Sequence, residues 1–293
     1  MRLAFAAIIL VAATLSTDVR RSWAQAPAPS AATSASPAPA AGMRLVFEDD
    51  FSGTALDLKK WYPGPKPNGG QWGGAFFVDD PSDPAFADAY HVEGGVLRLR
   101  ARYDAAYRDP QGYGRKWRGA EISTAFPNGS VSGAARHGYF EARMKLPYGE
   151  GAWPAWWMLN AAGILKKPGS PGDVEIDVLE AYGQWIKRGG YLITIHDFDG
   201  PANAQFHSDH ITNTVDLSAE FHDYGCLFTA TEVIMYFDAK EIVRAPLPKA
   251  ATVDKFFALL DMSIDNDPSR RVAVPTTRVY DLLVQHVRIW SAD

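Results

Sequence analysis

The chain has 293 residues, 47% hydrophobic and 22% charged, with a formal net charge of −5. This balance supports a large apolar core and excludes a disordered or fibrous chain, while the acidic sign argues against a nucleic-acid partner, which calls for a basic surface. A single cysteine, Cys226, excludes an intrachain disulfide framework.

In chain order, Met1-Arg2, the apolar run 3–15 and the small-x-small triplet Ala24-Gln25-Ala26 read as a secretory signal over residues 1–26. The run is too short to span a bilayer comfortably, so no stable membrane insertion is expected after cleavage, and the protein is expected to be secreted or periplasmic. Asp18, Arg20 and Arg21 leave open a cut elsewhere or retention as an anchor. Residues 27–42 are almost entirely Ala, Pro, Ser and Thr, with nothing to bury, and predict a disordered linker. Residues 43–293 then form one domain. Setting aside Arg2, Arg20, Arg21 and Asp18 leaves it 26 basic and 33 acidic residues. A strongly sulfated polymer is disfavoured at long range by the same sign.

The domain opens with a strand and turn over residues 45–53. Residues 61–90 are dense in Pro, Gly, Asp and aromatics and read as loops with short strands, in which Trp72, Phe76 and Phe77 either line a cleft or pack the loops down. Alternation returns in a Gly-Gly hairpin over 91–101, then in 117–123 and 138–147. Residues 151–159 are aromatic on both faces: Trp156 and Trp157 have opposite parity, so one belongs to the core. Cys226, inside the apolar run 224–228, reads as a buried structural thiol. Further strands follow over 232–238, 240–244, 256–264 and 279–290. The elements predict an all-β sandwich.

The most informative stretch is Glu175-Ile176-Asp177-Val178-Leu179-Glu180, three carboxylates in an apolar, β-branched run. A strand puts Glu175 and Asp177 on one face and Glu180 on the other; one extra residue, a β-bulge, brings Glu180 back. Carboxylates so clustered raise one another's pKa, giving a protonated acid beside an ionised neighbour, which is the equipment for glycoside hydrolysis. Clefts for neutral sugars also need flat apolar platforms, and tryptophans supply them.

This run resembles the catalytic signature of glycoside hydrolase family 16 in its bulged E-x-D-x-x-E form. The resemblance extends over residues 43–293 through the opening strand, the pattern G-x-W-P-A-x-W and the F-H-x-Y segment at 221–224. It implies a β-jelly-roll of two curved antiparallel sheets with a concave cleft, and a retaining endo-β-glycanase with Glu175 as nucleophile, Glu180 as acid/base and Asp177 between them. It further implies Trp153, Trp157, His196 and Trp117 as substrate-binding residues, Trp117 being almost as readable as core. The expected partner is a polysaccharide, most simply a β-1,3- or mixed β-1,3/1,4-glucan, met by a monomer without cofactor. A galactan or bacterial exopolysaccharide, transglycosylation, or a non-catalytic carbohydrate-binding jelly roll stand as alternatives.

No metal is expected. His196, Asp197, Asp199, His207, Asp209 and His210 offer donors, but their spacing matches no defined ligand motif. Relatives often bind Ca²⁺ with an acidic residue where this chain has Gln285, so no tight calcium site is expected, although Glu48 and the Gly53 carbonyl could supply part of one. Phe228 in place of a Trp, and Ala239-Lys240 in place of a turn Gly, depart from the family pattern.

Overall fold

The computed structural model describes residues 37–166, 172–198, 204–267, 269–270 and 272–293. The signal reading and the linker up to residue 36 lie outside them. Seventeen strands supply most of the regular structure among these residues. They are β1 (Arg44–Asp49), β2 (Tyr62–Pro63), β3 (Ala75–Phe77), β4 (Tyr90–Glu93), β5 (Val96–Tyr103), β6 (Trp117–Ser123), β7 (Ala134–Ala135), β8 (Gly138–Lys145) and β9 (Ala152–Asn160). The remainder are β10 (Val174–Glu180), β11 (Gly190–Asp197), β12 (Ala204–Thr212), β13 (His222–Phe228), β14 (Glu232–Phe237), β15 (Lys240–Pro246), β16 (Phe256–Ile264) and β17 (Val279–Ser291).

An outer sheet runs β15-β14-β13-β8-β17, and the far edge of the long β17 is shared by β5 and β1. The inner sheet runs β12-β11-β10-β9-β16-β6-β2. β6 also pairs with β5 and, in parallel, with β3, which joins the two curved sheets into a near-barrel. This is the expected β-jelly-roll.

Period 2 decides what each inner strand presents. On β9, Trp156 and Met158 point between the sheets and join Ile176, Leu179, Leu260 and Met262 in the main core, while Ala155, Trp157 and Leu159 belong to a separate cluster on the other face with Phe257 and Leu259. Trp156 is fully buried. Its truncation to Ala would cost about 3–5 kcal/mol. Cys226 is a free thiol in that core, and burial pushes its pKa up, as expected of a structural cysteine.

Two local features differ from the sequence reading. The packed body begins before residue 43: Ala38–Ala40 form a 3₁₀ turn, and Ala40 is buried against Tyr139 and Trp290 on the outside of the outer sheet. Small side chains let the backbone approach that aromatic pair, a contact that composition alone does not reveal. The β14–β15 turn is formed by Asp238 and Ala239, with φ of 47° and 62°, in the left-handed region. Asp238 is compensated, since its carboxylate accepts from Asp223 N and pairs with His222 Nδ1. Ala239 has no such compensation, so Ala239→Gly is expected to stabilise the fold by about 0.5–1 kcal/mol, read as a higher urea midpoint at unchanged slope.

Candidate active site

The register around β10 shows how three carboxylates reach one face. Asp177 lies opposite Trp157 of β9, yet Leu179 lies opposite Trp156, so Val178 is an extra residue. On the other edge the same slip falls between Asp177 and Glu180 against β11. Glu180 is thereby set opposite Ala155, on the face that carries Trp157, and joins Glu175 and Asp177. Val178 and Leu179 are both buried in the main core, which anchors the bulge.

Glu180 Oε1 accepts from Trp153 Nε1 at 2.9 Å and Tyr182 OH at 3.1 Å. The two rings stack, with centroids 5.8 Å apart, and the Arg270 guanidinium lies 4.0 Å from the centre of the Tyr182 ring. Both donors grip the same oxygen, so Oε2 is left to exchange a proton. Glu175 is pushed up to about 8 by burial first and the Asp177 charge next, with Lys66 and His196 pulling the other way. Burial, then Glu180, raises Asp177 well above the usual carboxylate range. His196 Nε2 lies 3.3 Å from Asp177 Oδ2 and 3.9 Å from Glu175 Oε1, its ring stacked on Phe198. The trio therefore keeps at least one proton near neutrality, and acid and base chemistry can run side by side.

A second buried carboxyl pair, missed in the sequence reading, continues this face. Asp261 of β16 sits in register between Glu121 of β6 and Ala155 of β9. Trp157 Nε1 donates to Asp261 Oδ2 at 2.9 Å and Trp72 Nε1 to Glu121 Oε2 at 3.0 Å. Trp72 meets Trp153 and Trp157 edge-on at 5.2 and 6.1 Å, so three indoles form one cluster on this face, Trp157 its buried member. The Trp72 loop is held down by Arg115 Nε on the Gly73 carbonyl and by the Gln71 side chain on the Phe77 backbone. The available signal was a lone acid in the strand 256–264, whose neighbours are otherwise apolar; only register shows that it meets Glu121.

Burial pushes Glu121 up to about 8, with Glu175 adding to the shift and Trp72 and Lys66 opposing it. Its folded value lies above its unfolded one, so its contribution to stability is present below about 4.5 and is lost as pH rises through about 8. Glu121→Gln keeps an acceptor for Trp72 and removes the charge. Unfolding free energies from urea denaturation at pH 5 to 8 are expected to fall less steeply in the variant, by on the order of 2–4 kcal/mol at the alkaline end.

Trp153 and His196 stand half-buried on the face that carries the three acids; Trp157 shares that face but is 5% exposed, bonded to Asp261 and packed on Trp72, so it backs the other indoles and presents little surface of its own. Trp117 is a correction to its placing among the substrate-binding residues and takes the core reading that stood beside it: it is 7% exposed and packs against Tyr103 and Tyr280 in the main core, because β6 pairs there with β5 and β3 and meets β16 only from Ala120 onward. The donors around residues 196–210 do not gather as one set among the described residues. His207 pairs with Asp209, His210 packs on Trp185 and His196 faces the triad; Asp199 lies outside the described residues. Gln285 and Glu48 are each engaged by an arginine, Arg143 and Arg288. Two groups of three donors do converge, Glu175, Asp177 and His196 in the groove and Glu141, Asp223 and His286 on the outer sheet. A concavity of about 450 Å³ elsewhere is lined by Asp88, Arg100, Arg102 and Arg118. Its arginines are paired with Asp88, Asp281 and Asp83, and none of the three clustered acids of β10 lines it.

The family model for glycosyl hydrolases family 16 matches residues 100–265. The chain is similar to the glucan endo-1,3-beta-glucosidase A1 of Niallia circulans, 31% identical over 211 residues covering 68% of this chain and 29% of that protein. It is also similar to the endo-1,3-1,4-beta-glycanase EglC of Rhizobium meliloti, 28% identical over 269 residues covering 85% and 52%. The chain thus spans between about a third and a half of these relatives' lengths. Among solved structures it superposes on the laminarinase from Rhodothermus marinus with a TM-score of 0.68 at 23% identity, covering 85% of this chain and 97% of that one, a likeness of fold.

Proposed function

Because the chain belongs to glycosyl hydrolases family 16, we propose that it is a retaining endo-β-glycanase whose chemistry is carried by Glu175 and Glu180. The observation that supports this reading most directly is the β10 bulge, which gives the two acids a common face. In the first step the Glu175 carboxylate attacks the anomeric carbon as the glycosidic C–O bond breaks, and the departing oxygen takes the proton from Glu180 Oε2. In the second, Glu180 takes a proton from water, the water oxygen attacks the same carbon, and Glu175 leaves as a carboxylate. Asp177, held by His196, stores the proton that Glu175 must lack. Trp153 fixes the unused oxygen of Glu180 and offers its face to a sugar ring.

The substrate is a β-1,3- or mixed β-1,3/1,4-glucan, in keeping with the activities named for the two relatives above. Residues 43–293 act as a monomeric catalytic domain, exported behind the leader at residues 1–26, with the polymer outside the cytoplasm. The test is to incubate the purified domain with β-1,3-glucan, mixed-linkage glucan and galactan, identify the oligosaccharides, and follow the anomer first released by proton NMR. Internal cleavage of a β-1,3-containing glucan with the β-anomer appearing first is the expected result. Binding without new reducing ends would make the protein a carbohydrate-binding module, and the α-anomer appearing first would exclude the covalent route.

A further inference from the structure

We propose that Glu141, Asp223 and His286 form a binding site for one borderline divalent cation, of the Zn²⁺ type, on the outer sheet and away from the groove. The three residues come from adjacent strands. His286 of β17 and Asp223 of β13 lie on either side of Arg143 of β8, one step along the same face from Glu141. His286 Nε2 is 3.4 Å from Glu141 Oε1 and 3.8 Å from Asp223 Oδ1, and the three donor atoms all lie within 4.8 Å of one another. Ligands about 2.0–2.2 Å from a tetrahedral Zn²⁺ are separated by roughly 3.3–3.6 Å, so two of the edges are already close to closure.

The remaining oxygens are already committed, which aims the inner ones. Tyr139 OH donates to Glu141 Oε2 at 3.0 Å and Arg143 Nη1 to Asp223 Oδ2 at 2.9 Å. Asp223 Oδ1, the oxygen facing His286, is buried without a hydrogen-bond partner. Tyr139 cannot drift: it is packed against Trp290 and Tyr236 and lies over Gly225, where a Cβ would come within 2.0 Å of its hydroxyl. Such outer partners orient ligands at metal centres. The Glu141 side chain is 7% exposed, that of His286 15% and that of Asp223 30%, so the cluster has an opening through which an ion and a water ligand can enter. One imidazole nitrogen with two carboxylates suits Zn²⁺ and not Ca²⁺, which takes six to eight oxygens. A bound ion would clip the last strand to β8 and β13.

The test is a calorimetric titration of the EDTA-treated, dialysed full chain with ZnCl₂ at pH 7.5, with Ca²⁺ in parallel. One Zn²⁺ per chain is expected, with a higher thermal midpoint and no response to Ca²⁺. His286→Gln and, separately, Asp223→Asn are expected to weaken binding at least tenfold, whereas His207→Gln leaves it unchanged. Co²⁺ on the wild type supplies a reading that needs no variant: visible absorption bands of a four-coordinate ion are expected. No stoichiometric Zn²⁺ binding, or equal affinity in wild type and both ligand variants, would show His286 to be only an ion-pair partner of the two acids and overturn the proposal. Glycan hydrolysis by folded His286→Gln is expected to match wild type, so the result is independent of the reading of the groove.

Discussion

Glu175→Gln is expected to abolish turnover of the glucan, by about 10⁴-fold or more, while making the protein more stable at pH 8 than the wild type. The first effect follows from removing the only oxygen proposed to bond the anomeric carbon. The second follows from burial: the Glu175 pKa is raised to about 8 in the folded chain, chiefly by desolvation and then by Asp177. The folded protein thus holds a proton that the unfolded chain releases above about 4.5, and stability declines as pH rises from there through about 8. An amide of the same shape has no such slope. The gain at pH 8 is of order 2–4 kcal/mol, since the side chain is only 18% exposed. Activity and denaturation midpoints measured on one preparation at pH 5 and 8 check both signs. A loss of activity with a loss of stability at pH 8 would mean that Glu175 serves the fold and not the reaction. For the wild type, the same raised values put the acid limb of the pH–rate curve close to neutrality.

Glu180→Ala is expected to slow hydrolysis of the natural polymer by about 10²–10⁴-fold and to spare only the first step, formation of the glycosyl-enzyme, for an aryl glycoside whose leaving group needs no proton. With that substrate the glycosyl-enzyme still forms, and water without a base removes it slowly. Added azide, which needs no base, is then expected to restore turnover and to give a β-glycosyl azide. In a Glu175→Ala variant the azide occupies the nucleophile's place and the α-product is expected. The two azide stereochemistries therefore assign the acids independently of rate. Trp153→Phe and Tyr182→Phe, each removing one donor to Glu180 Oε1, are milder versions of the same experiment.

How much of this was legible in the sequence follows from the range of each interaction. Glu175, Asp177 and Glu180 are local, and the requirement for a bulge could be stated from parity because all three lie on one strand. Trp156 and Trp157 could be said to face opposite ways for the same reason, and Asp261 binding Trp157 now says which is which. Glu121 and Asp261 were not legible as a pair, because 140 positions separate them and only the β6–β16 register brings them level. Trp117 could be read either way because β6 serves both sheets: at its first residues it pairs with β5 and β3, where its side chain faces the core, and only later with β16. Ala40 escaped because an alanine shows its partner only when Tyr139 and Trp290 are already in place.

The inserted Val178 has a consequence for change in chain length. If it were deleted, the strand would read Glu-Ile-Asp-Leu-Glu, an uninterrupted pleat in which all three acids still face the groove. The partners of the last acid would not change either, since Leu179 and Glu180 already lie opposite Trp156 and Ala155; what would go is the local bend and extra twist that the unpaired residue puts between the second acid and the third. A one-residue loss that elsewhere in a sheet would turn a side chain inside out would here only straighten the backbone between two acids, giving this strand two workable lengths.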